Sequence, residues 1–374
     1  ILNMEQILED YTPDKIMGNM ESDKYLYDAP GAHMGDESSL KLFLTYVKDS
    51  YSGHDFTFLD MWDHGSAYGD FGNDSNFNGD GLTMLETDNA ITAAGIGFDI
   101  IGYDACLNAN FELSSVIKKH ADYLVASAET EPGHGWDYED VITSYARNND
   151  VNVLFKEMID NFVLNPDHKQ DGKTLSAVDL RIYDDLYNAV DAMSLQVNSN
   201  LTDKNLKDLI FQLHNPYDTS NDLEGYGKSK GKPATTYDLT SLAQIIYSNT
   251  EGSLRDSAEQ VLTVLEDYII YANSDSTKPN AYGVTIAPMI DGGQLRKNQI
   301  PSENFWALVD NIYQNFSQSD STAPAIMASK TSKKPTLSVE MPRRSYQQKE
   351  TGTSATIVDE NLKKVTTLYG NILT

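Results

Sequence analysis

Gly97-Phe-Asp-Ile-Ile-Gly-Tyr103 runs directly into Asp104-Ala105-Cys106, and after a helical stretch the chain reads Asp122-Tyr-Leu-Val-Ala-Ser127. Both apolar runs are short, rich in β-branched and aromatic residues, and bounded by Gly or by charged residues, the signature of buried strands. Between them, residues 108–120 have helical spacing. Working back from this unit, Phe56-Thr-Phe-Leu-Asp-Met-Trp62 is a third apolar strand, ending at Asp63-His64-Gly65. Thr83-Met-Leu-Glu86 has the spacing of a capping box that opens a helix closed by Gly95. Strands alternating with helices at this interval predict an α/β fold with a mainly parallel sheet covered by helices on both faces.

Further out, a helix is predicted over residues 36–50, ahead of the first strand, and a polar loop over residues 66–81 behind it. Downstream the pattern is largely helical, over residues 151–163, 181–198, 203–214 and 253–272. Short strands are expected at 174–180 and 282–288. Composition changes after Phe316. Residues 317–324, rich in Ser, Asp, Thr and Pro, read as a linker. Residues 325–374 contain strand-like runs too few for a sandwich, and are expected to be part of a β-rich, Ig-like domain. The first domain is then residues 1–316.

The 374 residues carry 56 acids against 28 Lys and Arg, a formal charge of −28. A surface that negative repels phosphate backbones and anionic headgroups, which sets nucleic acid aside as a partner, and no apolar run is long enough to span a membrane. With one cysteine, Cys106, no internal disulfide framework exists. The abundance of acids with Tyr, Asn and Ser leans toward an extracellular protein.

Two strand ends each deliver a reactive residue: His64 after Trp62, and Cys106 after Tyr103. Ligands bind at the carboxyl ends of parallel strands. A thiol beside an imidazole is the minimal apparatus for nucleophilic acyl transfer, and a helix N-terminus at the cysteine would add thiolate character. A lone cysteine behind a strand is otherwise a small buried hydrophobe. Asp104 reads either as a pocket acid or as a cap for the helix after it. From Asp49 to Ile117 there are twelve acids and no Lys or Arg. That run is either a solvated acidic face or an attraction for cationic substrate.

Trp62-Asp63-His64-Gly65, Gly102-Tyr103-Asp104-Ala105-Cys106-Leu107 and Ala126-Ser-Ala-Glu-Thr-Glu-Pro-Gly-His-Gly-Trp-Asp-Tyr138 resemble, in order and spacing, the clostripain family of cysteine peptidases. The resemblance continues in Thr174-Leu-Ser-Ala-Val-Asp-Leu180, Tyr237-Asp-Leu239 and Tyr282-Gly-Val-Thr-Ile286, and so covers roughly residues 33–316. It implies a caspase-like fold and a secreted endopeptidase that cuts polypeptides after Arg or Lys. His64 and Cys106 would form its dyad, and the N–H groups of Gly65 and Cys106 its oxyanion hole. Asp104 would be the acid of the S1 pocket, and Trp136 a pocket wall or core aromatic.

Two departures accompany the resemblance. Residues 65–105 contain no basic residue at which such an enzyme could nick itself, and relatives have an opening strand and acidic helix ahead of the region that begins at Ile1, so the first strands of the sheet are expected to be missing or altered. Asp74, Asn76, Asn78 and Asp80 alternate like the oxygen ligands of a calcium loop, with Leu85 at position twelve and Glu86 one place late. Calcium is therefore an expected cofactor, and an inactive, calcium-stabilised surface or binding module is the competing reading.

Overall fold

The structure is a computed structural model that describes residues 33–50, 53, 56–67, 71–166, 170–201, 224–227, 234–287, 300–319 and 366–367. Helix α1 (Glu37–Ser50) precedes β1 (Thr57–Trp62), and a hairpin of β2 (Phe71–Asp74) and β3 (Asp80–Leu82) leads to α2 (Met84–Ala94). Next come β4 (Phe98–Asp104), α3 (Phe111–Ile117) and β5 (Ala121–Ala126), the unit on which the fold was read. The chain continues through α4 (Tyr138–Asn148), α5 (Val151–Leu164), β6 (Thr174–Asp179) and α6 (Tyr183–Asn200). Then follow β7 (Gly225–Tyr226), β8 (Thr236–Asp238), α7 (Leu239–Asn249), α8 (Gly252–Tyr268), β9 (Ile269–Ser274), β10 (Thr285–Ile286), α9 (Glu303–Ser319) and β11 (Thr366–Thr367).

The main sheet has the order β11-β1-β4-β5-β6-β9. β1, β4 and β5 are parallel, as the alternating pattern predicts, while β6 runs antiparallel to both β5 and β9. Pleating sends alternate residues to opposite faces. Leu59, Met61, Ile101 and Tyr103 enter a large core with Phe111, Tyr183, Leu265 and Phe305. Phe58, Ile100 and Val125 enter a second core on the other face, packed with Trp136, Ile142, Phe155 and Ile159 from α4, α5 and the loop ahead of them. Gly102 belongs to that second face, where an added Cβ would lie 2.7 Å from Phe58 and 2.9 Å from the Trp136 ring. Only glycine lets the indole lie flat on the strand.

The capping box forms as predicted: the Glu86 N–H donates to Thr83 Oγ1, the Thr83 N–H donates to Glu86 Oε2, and Gly95 closes α2 in the left-handed conformation. Several boundaries differ from the sequence reading. The helix expected over 253–272 ends at Tyr268, because Ile269-Ile-Tyr271 are better strand formers and pair as β9 on the edge of the sheet. The loop expected over 66–81 contains the β2–β3 hairpin, whose short polar strands lack an apolar alternation. Helices α4, α7 and α9 were not anticipated, and α9 runs to Ser319, past the start of the expected linker. The helix expected over 203–214 and the β-rich region over 325–374 lie outside the described residues, except that Thr366–Thr367 pair in parallel with β1.

Candidate active site

Strand register builds the site. β1 and β4 are parallel with Trp62 opposite Asp104, so His64 and Cys106 each follow two residues beyond that last pair, past the carboxyl edge of the sheet. Gly65 then lies against the cysteine turn: a Cβ on it would be 2.5 Å from the Cys106 carbonyl oxygen and 2.9 Å from Ala105 Cβ. Any larger residue would push the two strand ends apart. The His64 carbonyl accepts from the Gly72 N–H at 2.8 Å, and Gly65 bridges to Phe71, so the β2–β3 hairpin braces the histidine loop. His64 is exposed and Cys106 half-buried, so solvent reaches both the imidazole and the thiol residue.

A second strap holds the cysteine turn. The Ala109 N–H donates to Ser127 O at 2.9 Å and the Leu107 N–H to Glu129 O at 3.2 Å; the Glu131 N–H then donates to Cys106 Sγ at 3.3 Å. Alternate residues of the 127–131 segment thus grip this loop. The segment is itself fixed, since Thr174 Oγ1 accepts from the N–H groups of Ala128 and Glu129 at 3.1 and 3.0 Å. Glu129 accepts from Gly227 N–H at 2.9 Å and pairs with Lys278 at 2.9 Å. Leu107 adopts φ +64°, a left-handed conformation that costs a residue with a Cβ energy and that these contacts maintain.

This geometry corrects one expectation about the nucleophile. Helix α3 begins at Phe111 under an Asn110 cap, whose side chain accepts from the Leu113 N–H at 2.7 Å, so Cys106 sits in a turn five positions before the helix. The thiol lies off the helix N-terminus, and its sulfur instead accepts from the Glu131 N–H. The same cap decides between the two readings of Asp104. Asp104 does not cap the following helix. It is 2% exposed and accepts from the Trp136 N–H at 2.7 Å and from the Tyr138 hydroxyl. Gly135, at φ +70°, brings the loop over it so closely that a Cβ would fall 2.5 Å from Asp104 Oδ2. Trp136 is 3% exposed and packs in the second core, its Nε1 donating to Glu131 Oε1 at 3.4 Å.

Around Asp104 lies a cluster of acids. Asp60, opposite Gly102 on the same face of the sheet, is buried, and Glu131 reaches in from the strap. Burial pushes the carboxyls of Asp60, Asp104 and Glu131 above the ordinary range, with Asp104 adding its charge to the rise of the other two. Among the described acids between Asp49 and Ile117, Asp60, Asp74, Asp88, Asp104 and Glu112 are buried, so the run is not simply a solvated face. Asp60 and Glu131 were missed by the sequence reading. Asp60 had a signal, a carboxylate in the middle of an apolar strand; Glu131 had none beyond its place in a recognised motif.

The loop expected to bind calcium is folded around its own protein donors. Asp74 Oδ1 accepts from the Asn76 N–H and Oδ2 from the Met34 N–H, both at 2.9 Å. Asp80 pairs with His33 at 2.9 Å, Asn78 occupies a left-handed turn position, and Glu86 is used in the capping box. Among the described residues no group of three or more His, Cys, Asp or Glu converges as metal ligands. With these oxygens already committed, the residues do not fit a calcium site.

The family model of the clostripain family matches residues 11–295. The chain belongs to the clostripain family of cysteine peptidases. The match begins nearer the start than the motif resemblance did, and ends earlier. Among solved structures, the chain is similar to a secreted C11 cysteine protease from Bacteroides thetaiotaomicron in complex with an irreversible peptide inhibitor. That likeness has a TM-score of 0.54 at 16% identity, covering 74% of this chain and 78% of that one. It is also similar to an inactive zymogen C11 protease from Parabacteroides distasonis, with a TM-score of 0.52 at 16% identity over 75% of this chain and 78% of that one. At such identity the likeness establishes the fold, a caspase-like sheet between helices. No curated protein sequence matches the chain. Among the described residues no helix is long and apolar enough to cross a membrane.

Proposed function

We propose that this clostripain-family chain is a secreted endopeptidase that cleaves polypeptides after Arg or Lys, with Cys106 as nucleophile and His64 as its proton-transfer partner. The observation that supports the reading is the parallel β1–β4 register, which ends with Trp62 opposite Asp104 just ahead of His64 and Cys106, together with the fit of Gly65 tight against the cysteine carbonyl. His64 takes the Sγ proton as sulfur attacks the scissile carbonyl. The tetrahedral oxyanion is received by the N–H groups of Gly65 and Cys106, and His64 returns the proton to the departing amine. Water, deprotonated by His64, then hydrolyses the thioester and regenerates the thiol.

Asp104 is the carboxylate for the basic P1 side chain. A charge at that depth is compensated only by another charge, so a neutral P1 residue is disfavoured. The irreversible peptide inhibitor bound by the B. thetaiotaomicron protease supports a polypeptide substrate, and that protein's secretion supports the same location here. Since residues 65–105 hold no Lys or Arg, His64 and Cys106 stay on one polypeptide in the active enzyme.

The test is covalent labelling by peptidyl ketone traps ending in Arg, Lys or Leu. Mass added at Cys106 by the first two only, and loss of Arg-peptide cleavage in Cys106→Ala by several orders of magnitude, is the expected result. An intact, folded protein that takes up none of the traps would replace this reading with the inactive binding module.

A further inference from the structure

The proposed mechanism uses one carboxylate for P1, yet the structure gives Asp104 a close acidic neighbour. Glu131 is tied to the nucleophile through its N–H, 3.3 Å from Cys106 Sγ, and to the wall of the site through Oε1, 3.4 Å from Trp136 Nε1. Its second oxygen, Oε2, is buried and met by no donor, as is Oδ1 of Asp60. Buried carboxylate oxygens left this way are costly unless a proton or a cation reaches them.

Resting on the reading of Asp104 as the P1 acid, we propose that Glu131 is a second carboxyl of the P1 site. The Asp104–Glu131 pair carries one proton when the site is empty, and the guanidinium or ammonium of a basic P1 residue displaces that proton to solvent. The groups that face Glu131 are Asp104 from β4, the Trp136 indole and Cys106; Asp104 in turn faces Asp60 from β1, Tyr138 at the start of α4 and His134. Lys278, the lysine that pairs on the strap, is held by Glu129 and Glu224. Two carboxylates this close cannot both stay ionised without a cation between or beside them, so a shared proton is the resting state. Burial and the Asp104 charge both raise Glu131, in the direction this requires. A cation entering the pair meets one carboxylate already ionised and takes the place of the proton on the other.

The arrangement makes P1 binding proton-linked. Affinity for a basic side chain rises with pH through the raised titration of the pair and levels off once the pair is ionised. The experiment titrates the folded enzyme with Nα-acetyl-arginine amide by calorimetry in two buffers of different ionisation enthalpy. In parallel, kcat and KM for an Arg-ending peptide are followed across pH for wild type and Glu131→Gln.

Wild type is expected to release up to one proton per ligand below the plateau. Glu131→Gln, which mimics the protonated residue, releases none, loses roughly 10- to 100-fold in kcat/KM chiefly through KM, and keeps iodoacetamide labelling of Cys106. Glu131→Asp, retaining the charge on a shorter stem, restores part of the proton release. Arg-peptide cleavage whose KM and pH profile are unchanged in Glu131→Gln overturns the assignment of Glu131 and leaves Asp104 alone in the role. A wild type that neither binds the amide nor cleaves the peptide overturns both readings. If Glu131→Gln does not fold, the wild-type proton count decides, and a count of zero overturns the proposal.

Discussion

Asp104 and Asp238 occupy equivalent places in two regions of the molecule, each the last residue of a strand, each buried, each reached by a tyrosine hydroxyl. Their surroundings differ in one respect. Asp238 is 0% exposed, and donors meet both its oxygens: the Ser241 N–H of α7 on Oδ1 at 2.9 Å, and the Tyr282 N–H and Tyr226 hydroxyl on Oδ2 at 2.9 and 3.2 Å. It caps a helix and ties β10 to β8. Asp104 caps nothing, and beside it stand two further carboxyls, each with an oxygen that no donor meets. A buried acid matched by donors is a fastening. On the proposed function, a buried acid crowded by unmatched acids is a receptor for positive charge.

The widest consequence is in catalysis. Asp104→Asn should raise the barrier for Arg and Lys peptides by about 2 to 5 kcal/mol, the scale of removing one partner from a desolvated charge pair. Melting temperature should hold or rise, because the variant relieves a cluster of three acids. Labelling of Cys106 by a small neutral thiol reagent should survive. Steady-state kinetics and a melting curve on the same preparation check both halves. Wild-type kinetics with a lowered melting temperature would place Asp104 in the same class as Asp238 and erase the distinction.

Asp238 should behave the other way. Asp238→Ala leaves two buried N–H groups and a buried tyrosine hydroxyl without their acceptor, and should cost about 2 to 4 kcal/mol of stability, read by denaturant unfolding. The pH dependence is also specified. Burial pushes the Asp238 carboxyl up to about 7 from the usual 3.8, so between those values the folded chain keeps a proton that the unfolded chain has lost. Stability from this residue therefore falls as pH climbs from about 4 to 7. Asp238→Asn cannot ionise, and its unfolding free energy should gain on wild type over that interval. Parallel pH profiles for the two proteins would mean that the carboxyl is not displaced from its ordinary range.

The same contrast explains what could be read from the sequence. The strands of the central unit, the capping box at Thr83 and the arrival of His64 and Cys106 just past the ends of adjoining strands were legible, because each depends on local pattern or on parallel register. The environment of Asp104 was not. Its partners Trp136, Tyr138 and Glu131 lie 25 or more positions away and reach it only because Gly135 turns the loop back at positive φ. A cap reading for Asp104 failed for a local reason: the chain spends residues 105–109 on the turn that carries Cys106 before Asn110 opens the helix. The strand β9 was lost to helix periodicity because α8 runs into it without a Gly or Pro between.

The smallest effect concerns Asp74, a third nearly buried acid, and it tests whether donor matching is the right criterion. By sequence it belonged with the ligands of a metal; by contact it belongs with Asp238, since the N–H groups of Asn76 and Met34 satisfy both its oxygens. A carboxylate matched in that way has little to gain from a cation, and a bound ion stabilises a fold only in proportion to its affinity for the folded state. Melting curves in millimolar calcium and in excess chelator should coincide to within about a degree, the scale on which a stability change of a few tenths of a kcal/mol disappears. Asp74→Ala, by removing the acceptor for two backbone donors, should still lower stability by about 1 to 2 kcal/mol in either buffer. A chelator-dependent drop in wild type that Asp74→Ala abolishes would show that hydrogen-bonded acids in this molecule can also take a cation, and the line drawn between Asp104 and Asp238 would have to rest on position in the site alone.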